Sequence, residues 1–121
     1  MGQPTGGLCG VRVVDFGHYI AGPLAALLLA EAGADVEHVD APGESAIGPA
    51  DAYFNRGKRR ITLDLKSPAG QATARGLAAR ADVVIENFRP GVMDRLGLGA
   101  SALRAADERL VYLIAAGLRA G

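Results

Sequence analysis

No stretch of this sequence restricts the fold as tightly as residues 10–40, which carry the pattern of a β-α-β unit. A β-branched run over residues 11–16 predicts a buried strand, and a helix is predicted to start at Gly22-Pro23, continue through the apolar run of residues 24–32 and end at Gly33. Residues 36–39 predict a second strand. The turn between the first strand and the helix lacks the G-x-G-x-x-G pattern with which dinucleotide folds hold a pyrophosphate. Any ligand at this turn must therefore be held by other means.

The remaining sequence continues the alternation of strand and helix patterns. Strands are predicted over residues 61–65, 81–86 and 110–115, and helices over residues 68–80, 90–96 and 100–106. Residues 41–50 form a Gly- and Pro-rich loop that is too long for a simple connector. Ser67 and Pro68 are typical of a helix N-cap and first helical position. The pattern predicts an α/β fold with a largely parallel sheet and helices on both faces.

Length, charge and cysteine usage narrow the functional classes. A chain of 121 residues is one domain or part of one, and its 13 basic and 13 acidic residues cancel, which argues against a general nucleic-acid binder. The longest apolar run, residues 23–30, falls far short of the roughly 20 residues that cross a membrane. Cys9 has no partner for an internal disulfide, and the first residues do not resemble a signal peptide. We therefore predict a cytoplasmic protein.

The turns that follow the parallel strands should meet at one edge of the sheet, where such folds bind ligands. These turns are residues 17–22, 40–60 and 87–95. Helix N-termini there provide free N–H groups, and Phe88 provides a stacking surface. The same turns are rich in cations that suit phosphate oxygens: Arg56, Lys58, Arg59, Arg60, Lys66, Arg89 and Arg95. Together they predict a pocket for a phosphorylated cofactor.

Taken singly, these residues also fit ordinary structural roles. Basic residues near a sheet edge commonly form a solvated face, and Gly17 and Gly22 serve tight chain geometry equally well. His18 fits a hydrogen-bonded turn residue better than a catalyst, because no nucleophile is visibly paired with it. Asp15 is expected to end its strand by accepting a hydrogen bond from the following turn.

Eight blocks of the sequence, in order and at natural spacing, give a more specific indication. They are residues 10–15 (GVRVVD), 21–23 (AGP), 33–36 (GADV), 55–59 (NRGKR), 63–68 (LDLKSP), 81–83 (ADV), 86–91 (ENFRPG) and 93–97 (MDRLG). Over residues 8–113 the chain resembles the N-terminal part of the family III CoA-transferases. That group includes formyl-CoA transferase, carnitine CoA-transferase and α-methylacyl-CoA racemase.

The resemblance implies a Rossmann-like region that binds coenzyme A or an acyl-CoA without a metal, in a homodimer whose two subunits interlock. By position, the family's CoA contacts correspond to Tyr19, Ile20, Ala21, Leu63, Lys66, Asn87, Phe88 and Arg95. Lys66 and Arg95 would face phosphates, whereas the backbone of residues 19–21 and of Leu63 would border the adenine and pantetheine.

The implied activity is transfer of CoA between carboxylic acids through an aspartyl-CoA intermediate. The aspartate that forms this intermediate would lie beyond residue 121, so we expect residues 1–121 to be a truncated, incomplete CoA-binding domain that holds no catalytic residue and is inactive alone. Ile20 stands where formyl-CoA transferases carry a glutamine, which leaves the acyl group and the acceptor acid open. An α-methylacyl-CoA racemase-type fragment, and a non-catalytic remnant or nucleotide-binding module, remain alternatives.

Overall fold

A single parallel sheet organises the computed structural model, which describes residues 7–18, 21–43 and 49–115. Its strands lie in the order β3-β2-β1-β4-β5, and every neighbouring pair is parallel. The strands are β1 (Arg12–Asp15), β2 (Asp35–Asp40), β3 (Arg59–Thr62), β4 (Val83–Glu86) and β5 (Val111–Ile114). The predicted α/β class with a parallel sheet is therefore confirmed. The chain reverses its direction across the sheet between β1 and β4, which is where open α/β sheets leave a crevice.

Helices cover both faces of this sheet. They are α1 (Ala21–Glu31), α2 (Pro49–Phe54), α3 (Pro68–Ala79), α4 (Val92–Arg95) and α5 (Ala100–Ala106). One core cluster joins Val13 and Ile85 of the sheet to Ala26 of α1. The other joins Val14 and Val84 to α3, α4 and α5. Because successive strand residues point to opposite faces, the continuous apolar run of β1 supplies both clusters at once.

The chemistry of the helix ends agrees with the sequence. Ser67 caps α3 by accepting a hydrogen bond from the Gly70 N–H at 3.0 Å, with Pro68 as the first helical residue. Gly33 follows α1 with a φ of 107°, a left-handed conformation that favours glycine. These signals place both helices within about two residues of their expected bounds.

Two elements differ from the sequence-based expectation. Helix α2 was not predicted; it begins at Pro49, inside the segment 41–50 that was expected to be a loop and of which residues 44–48 lie outside the described ranges. Strand β3 starts at Arg59 and stops at Thr62, three residues before the predicted end. The reason is that β2 ends at Asp40, whose carbonyl accepts the last ladder bond from the Leu63 N–H at 2.9 Å. Residues 63–65 therefore run on past the sheet and reach the edge where its strands end.

Candidate functional site at the carboxyl edge of the sheet

A cavity of about 490 Å³ opens at the carboxyl ends of the strands, beside the point where strand order reverses. This volume is in the range of small-molecule pockets. The apolar part of its wall comes mainly from residues that follow the strands and from α4: Phe16, Val39, Pro42, Leu65, Val92 and Leu96. A few polar side chains interrupt this wall, so the cavity can bind a ligand that is partly apolar and partly charged.

The turn after β1 borders the cavity and is held by side chains from two strands. Asp15 Oδ1 accepts a hydrogen bond from the Gly17 N–H at 2.8 Å, as expected for the end of this strand. Asn87, after β4, contacts His18 twice: its Oδ1 accepts from the His18 N–H and its Nδ2 donates to the His18 carbonyl, both at 2.7 Å. The His18 ring also meets Phe88 edge-on, with centroids 4.7 Å apart. Asn87 thus fixes the turn that presents His18 to the cavity.

The two glycines of this turn are required by close packing. A Cβ atom on Gly17 would lie 2.6 Å from Gly22 Cα, and a Cβ on Gly22 would lie 2.6 Å from Gly17 Cα. Real Cβ atoms do not approach backbone this closely, so the first turn of α1 rests directly on the turn after β1. The chain-geometry interpretation therefore applies to both glycines.

A buried ion pair lies behind the same turn. Lys58 Nζ donates to Asp15 Oδ2 at 2.8 Å, and both side chains are fully buried. Burial raises the pKa of Asp15, but the hydrogen bond with His38 and the charge of Lys58 outweigh it, so this pKa lies below its ordinary value. Burial has the largest effect on the pKa of Lys58 and, with the nearby charge of Arg60, holds it below its ordinary value although the Asp15 carboxylate raises it. With Asp15 ionised, His38 Nδ1 must donate the 2.8 Å hydrogen bond that joins them.

Most of the expected rim cations are already engaged. Arg56 pairs with Glu31, Arg59 with Asp35, and Arg60 with both Asp40 and Asp51, while Lys58 lies in the buried pair with Asp15. Each of these cations therefore has a carboxylate partner within the protein, although the pairs of Arg56 and Arg59 are exposed to solvent. Arg60 donates two hydrogen bonds to Asp40, of 2.7 and 3.0 Å, and so neutralises one of the carboxylates that line the cavity.

Among the cations expected at this edge, Lys66 is the one whose residue lines the cavity. Its side chain is exposed and lines the opening, and within the described ranges it has no ion-pair partner. Its backbone N–H donates to Asp64 Oδ1 at 3.0 Å, so the two residues contact through the backbone and not as an ion pair. The ammonium group is therefore available to an anionic ligand.

The residues expected from the sequence to contact a ligand are brought together in part. Leu63, Lys66 and Phe88 line the cavity, and Asn87 lies beside it. Ala21 opens α1, and Arg95 is exposed on α4 outside the cavity wall, with its guanidinium against Gly91. Tyr19 and Ile20 lie outside the described residues.

Several wall residues were not anticipated. Phe16, Val39 and Pro42 are apolar residues at or just after strand ends, and Val92 and Leu96 are spaced as neighbours on one helix face. Both signals were visible in the sequence. These residues were not identified as cavity residues, because apolar residues at strand ends and on a helix face are equally typical of a hydrophobic core.

The described residues include no group of three or more His, Cys, Asp or Glu side chains that could hold a metal ion. None of the helices in the described ranges is both long and apolar enough to cross a membrane.

Comparison with known proteins gives consistent matches. The profile of CoA-transferase family III matches residues 8–118. CoA-transferase/lyase DddD of Marinomonas sp. (strain MWYL1) is 50% identical over 107 residues, covering 88% of this chain and 13% of that protein. Human alpha-methylacyl-CoA racemase is 43% identical, covering 87% of this chain and 27% of the racemase. The crystal structure of Rv3272 from Mycobacterium tuberculosis superposes with a TM-score of 0.82 at 44% identity, over 91% of this chain and 33% of that one. The chain thus spans a third or less of the length of these relatives.

Proposed function

Because this chain belongs to CoA-transferase family III, we propose that it is the part of such an enzyme that binds coenzyme A or an acyl-CoA. The observation that carries the proposal is the cavity at the carboxyl edge, where an apolar wall meets the available ammonium group of Lys66. Coenzyme A has a similar division, because its aromatic adenine and its uncharged pantetheine arm contrast with its charged phosphates.

The proposed contacts follow from this division. Leu63 and Phe88 would pack against the apolar parts of the ligand, and Lys66 would pair with a phosphate. Asn87 would act through its two hydrogen bonds to the His18 backbone. The backbone of Tyr19, Ile20 and Ala21 would border the adenine and pantetheine. Arg95 would contribute only if its side chain turned away from Gly91 toward the cavity, next to Val92 and Leu96.

For the reaction, we propose CoA transfer between two carboxylic acids. An aspartate would attack the thioester to form a mixed anhydride and release CoA, and the thiolate would then attack the anhydride to give aspartyl-CoA and free acid. We propose that this aspartate is not among the 121 residues. Asp15 is buried against Lys58, and Asp40 is held by Arg60, so neither carboxylate is available as the nucleophile.

The assembly and compartment are part of the same proposal. The remaining residues would come from the rest of a full-length enzyme, which would act as an interlocked homodimer in the cytoplasm with acyl-CoA and a carboxylic acid as substrates. The single cysteine fits a reducing compartment. A racemase-type function is the second candidate, supported by 43% identity to human alpha-methylacyl-CoA racemase. A non-catalytic nucleotide-binding module is the third.

Calorimetric titration of the chain with coenzyme A tests the binding proposal. We expect saturable binding, weakened by about 3- to 10-fold in Lys66→Ala, as for an exposed charge-assisted contact. Arg109→Ala is the matched control, because Arg109 is an exposed cation that precedes β5 at the opposite edge of the sheet. Absence of binding, or equal loss in both variants, would contradict the proposed site. If Arg95→Ala lowers the affinity for coenzyme A, Arg95 belongs to the site. If the affinity of this variant equals that of the Arg109→Ala control, Arg95 does not.

An acyl-CoA exchange assay tests the catalytic part of the proposal. We expect no exchange between labelled carboxylic acid and acyl-CoA in the presence of the purified chain alone. Exchange that persists through purification would show that a nucleophile lies within these residues. Interconversion of the α-methyl epimers of an acyl-CoA would instead support the racemase alternative.

A further inference from the structure

Seven polar side chains form a closed ring between β1, β2, α2 and the start of β3. Each contacts the next: Asp15 to His38 at 2.8 Å, His38 to Asp40 at 3.4 Å, Asp40 to Arg60 at 2.7 Å, Arg60 to Asp51 at 2.8 Å, Asp51 to Asn55 at 3.0 Å, Asn55 to Lys58 at 2.7 Å, and Lys58 back to Asp15 at 2.8 Å. The ring joins segments that are up to 45 residues apart, from 15 to 60, and sequence reasoning gave no sign of it.

Lys58 is the most completely coordinated member of the ring. Its ammonium donates to three acceptors: Asp15 Oδ2 at 2.8 Å, Asn55 Oδ1 at 2.7 Å and the Pro23 carbonyl at 2.9 Å. An ammonium has three N–H donors, so these contacts leave none for a ligand. The Lys58 side chain is fully buried, which excludes it from direct binding of a phosphate.

The contacts of Lys58 reach two parts of the cavity rim. Lys58 donates to Asp15 Oδ2, while Asp15 Oδ1 accepts from the Gly17 N–H. The Asp15 carboxylate thus links Lys58 to the turn that presents His18. Through the Pro23 carbonyl Lys58 holds the first turn of α1 against the same turn. The ring also includes Asp40, which is held by Arg60 and lines the cavity directly.

We propose that Lys58 is a positioning residue, which holds the turn after β1 and the start of α1 in the geometry that receives the ligand. This inference rests on the proposed CoA-binding function. A buried ion pair adds little net stability compared with apolar residues of the same shape, so stability alone explains its presence poorly. Ordering the rim before the ligand arrives, in contrast, lowers the entropy cost of binding.

Lys58→Met tests the inference, since methionine is unbranched and of similar length but supplies no donor. We expect coenzyme A affinity, corrected for the folded fraction, to fall about tenfold. Val36→Ala is the control: Val36 is buried in β2 away from the carboxyl edge, so its truncation should lower stability while leaving the affinity of folded molecules unchanged. Unchanged affinity in folded Lys58→Met would overturn the positioning role.

Amide hydrogen exchange separates this inference from the proposed function. We expect exchange at Gly17 and His18 to be at least about tenfold faster in Lys58→Met, relative to amides in the centre of β1. Equal protection in both proteins would overturn the positioning role even if coenzyme A binds. Faster exchange without coenzyme A binding would retain the positioning role and remove the CoA proposal. If Lys58→Met does not fold, Asn55→Ala removes one Lys58 acceptor and is expected to produce the same, smaller changes.

Discussion

At the scale of single residues, the turn after β1 is shaped by contacts that a glycine-rich phosphate loop does not need. Gly17 and Gly22 allow two backbone segments to touch, while Asn87 satisfies both backbone groups of His18. Contacts with neighbouring elements therefore hold the turn in place. A ligand at this turn would contact side chains such as Phe88 and Lys66, so it would not require a loop of free backbone N–H groups.

Substitution at Gly22 tests the close approach. Gly22→Ala places a Cβ 2.6 Å from Gly17 Cα, so we expect the free energy of unfolding to fall by about 1–3 kcal/mol. Gly76→Ala is the matched control, because a Cβ at this exposed position of α3 meets nothing within 4 Å. It should raise stability by up to about 1 kcal/mol through helix propensity. Urea unfolding of both variants makes the comparison, and a neutral Gly22→Ala would refute the packing argument.

Acid unfolding tests the buried pair at Asp15. The folded pKa of Asp15 lies below the value of about 3.9 expected in the unfolded chain, so its contribution to stability is present above about pH 4 and is lost as pH falls through the folded pKa. Asp15→Asn should remove this part of the acid dependence. At pH 7 it should also lower the free energy of unfolding by about 3–5 kcal/mol, because Lys58 keeps a buried charge without its carboxylate.

The measurement is urea unfolding at pH values from neutral into the acid range. Glu108→Gln serves as control, since Glu108 is exposed between α5 and β5 and far from the ring in sequence. The two substitutions should differ strongly at neutral pH. If they behave alike, the Asp15 carboxylate does not stabilise the fold.

At the scale of elements, local signals were enough for most helices and strands. Helix α5 spans the predicted residues 100–106, and α3 begins at Pro68 after its serine cap as expected. The same local signals could not find α2, which begins inside a Gly- and Pro-rich segment and is held by the contact of Arg60 with Asp51. The buried role of Lys58 was equally invisible, because only the register of a parallel sheet brings it to Asp15, 43 residues away.

Helix α3 offers a test of the cap. Residues 63–66, which line the cavity, run directly into Ser67, so the cap also fixes where this segment ends. Ser67→Ala should lower the free energy of unfolding by about 1 kcal/mol, because the Gly70 N–H loses its acceptor. Thr73→Ala, in the exposed middle of the same helix, should be neutral or slightly stabilising. Thermal unfolding of both variants gives the comparison, and equal effects would argue against a cap contribution.

At the scale of the whole molecule, the sheet is well covered at its centre and poorly covered at one edge. The central strands β1 and β4 supply side chains that are at most 5% exposed, such as Val13, Val14 and Val84. On the edge strand β5, in contrast, Val111 is 57% and Ile114 56% exposed, and among the residues that the structure describes β5 pairs only with β4. An apolar edge strand of this kind invites pairing with other chains.

We therefore expect the 121-residue chain to self-associate in solution through the apolar side chains that β5 and α1 expose, including Leu28 of α1, which is 58% exposed. The double substitution Leu28→Lys and Val111→Lys should lower the average mass in sedimentation equilibrium, because charges on an edge oppose strand pairing. Ala105→Lys, on exposed α5, is the control and should leave the association unchanged. If the unmodified chain sediments as a monomer of 12.4 kDa at every concentration, its apolar edge does not drive association and this expectation fails.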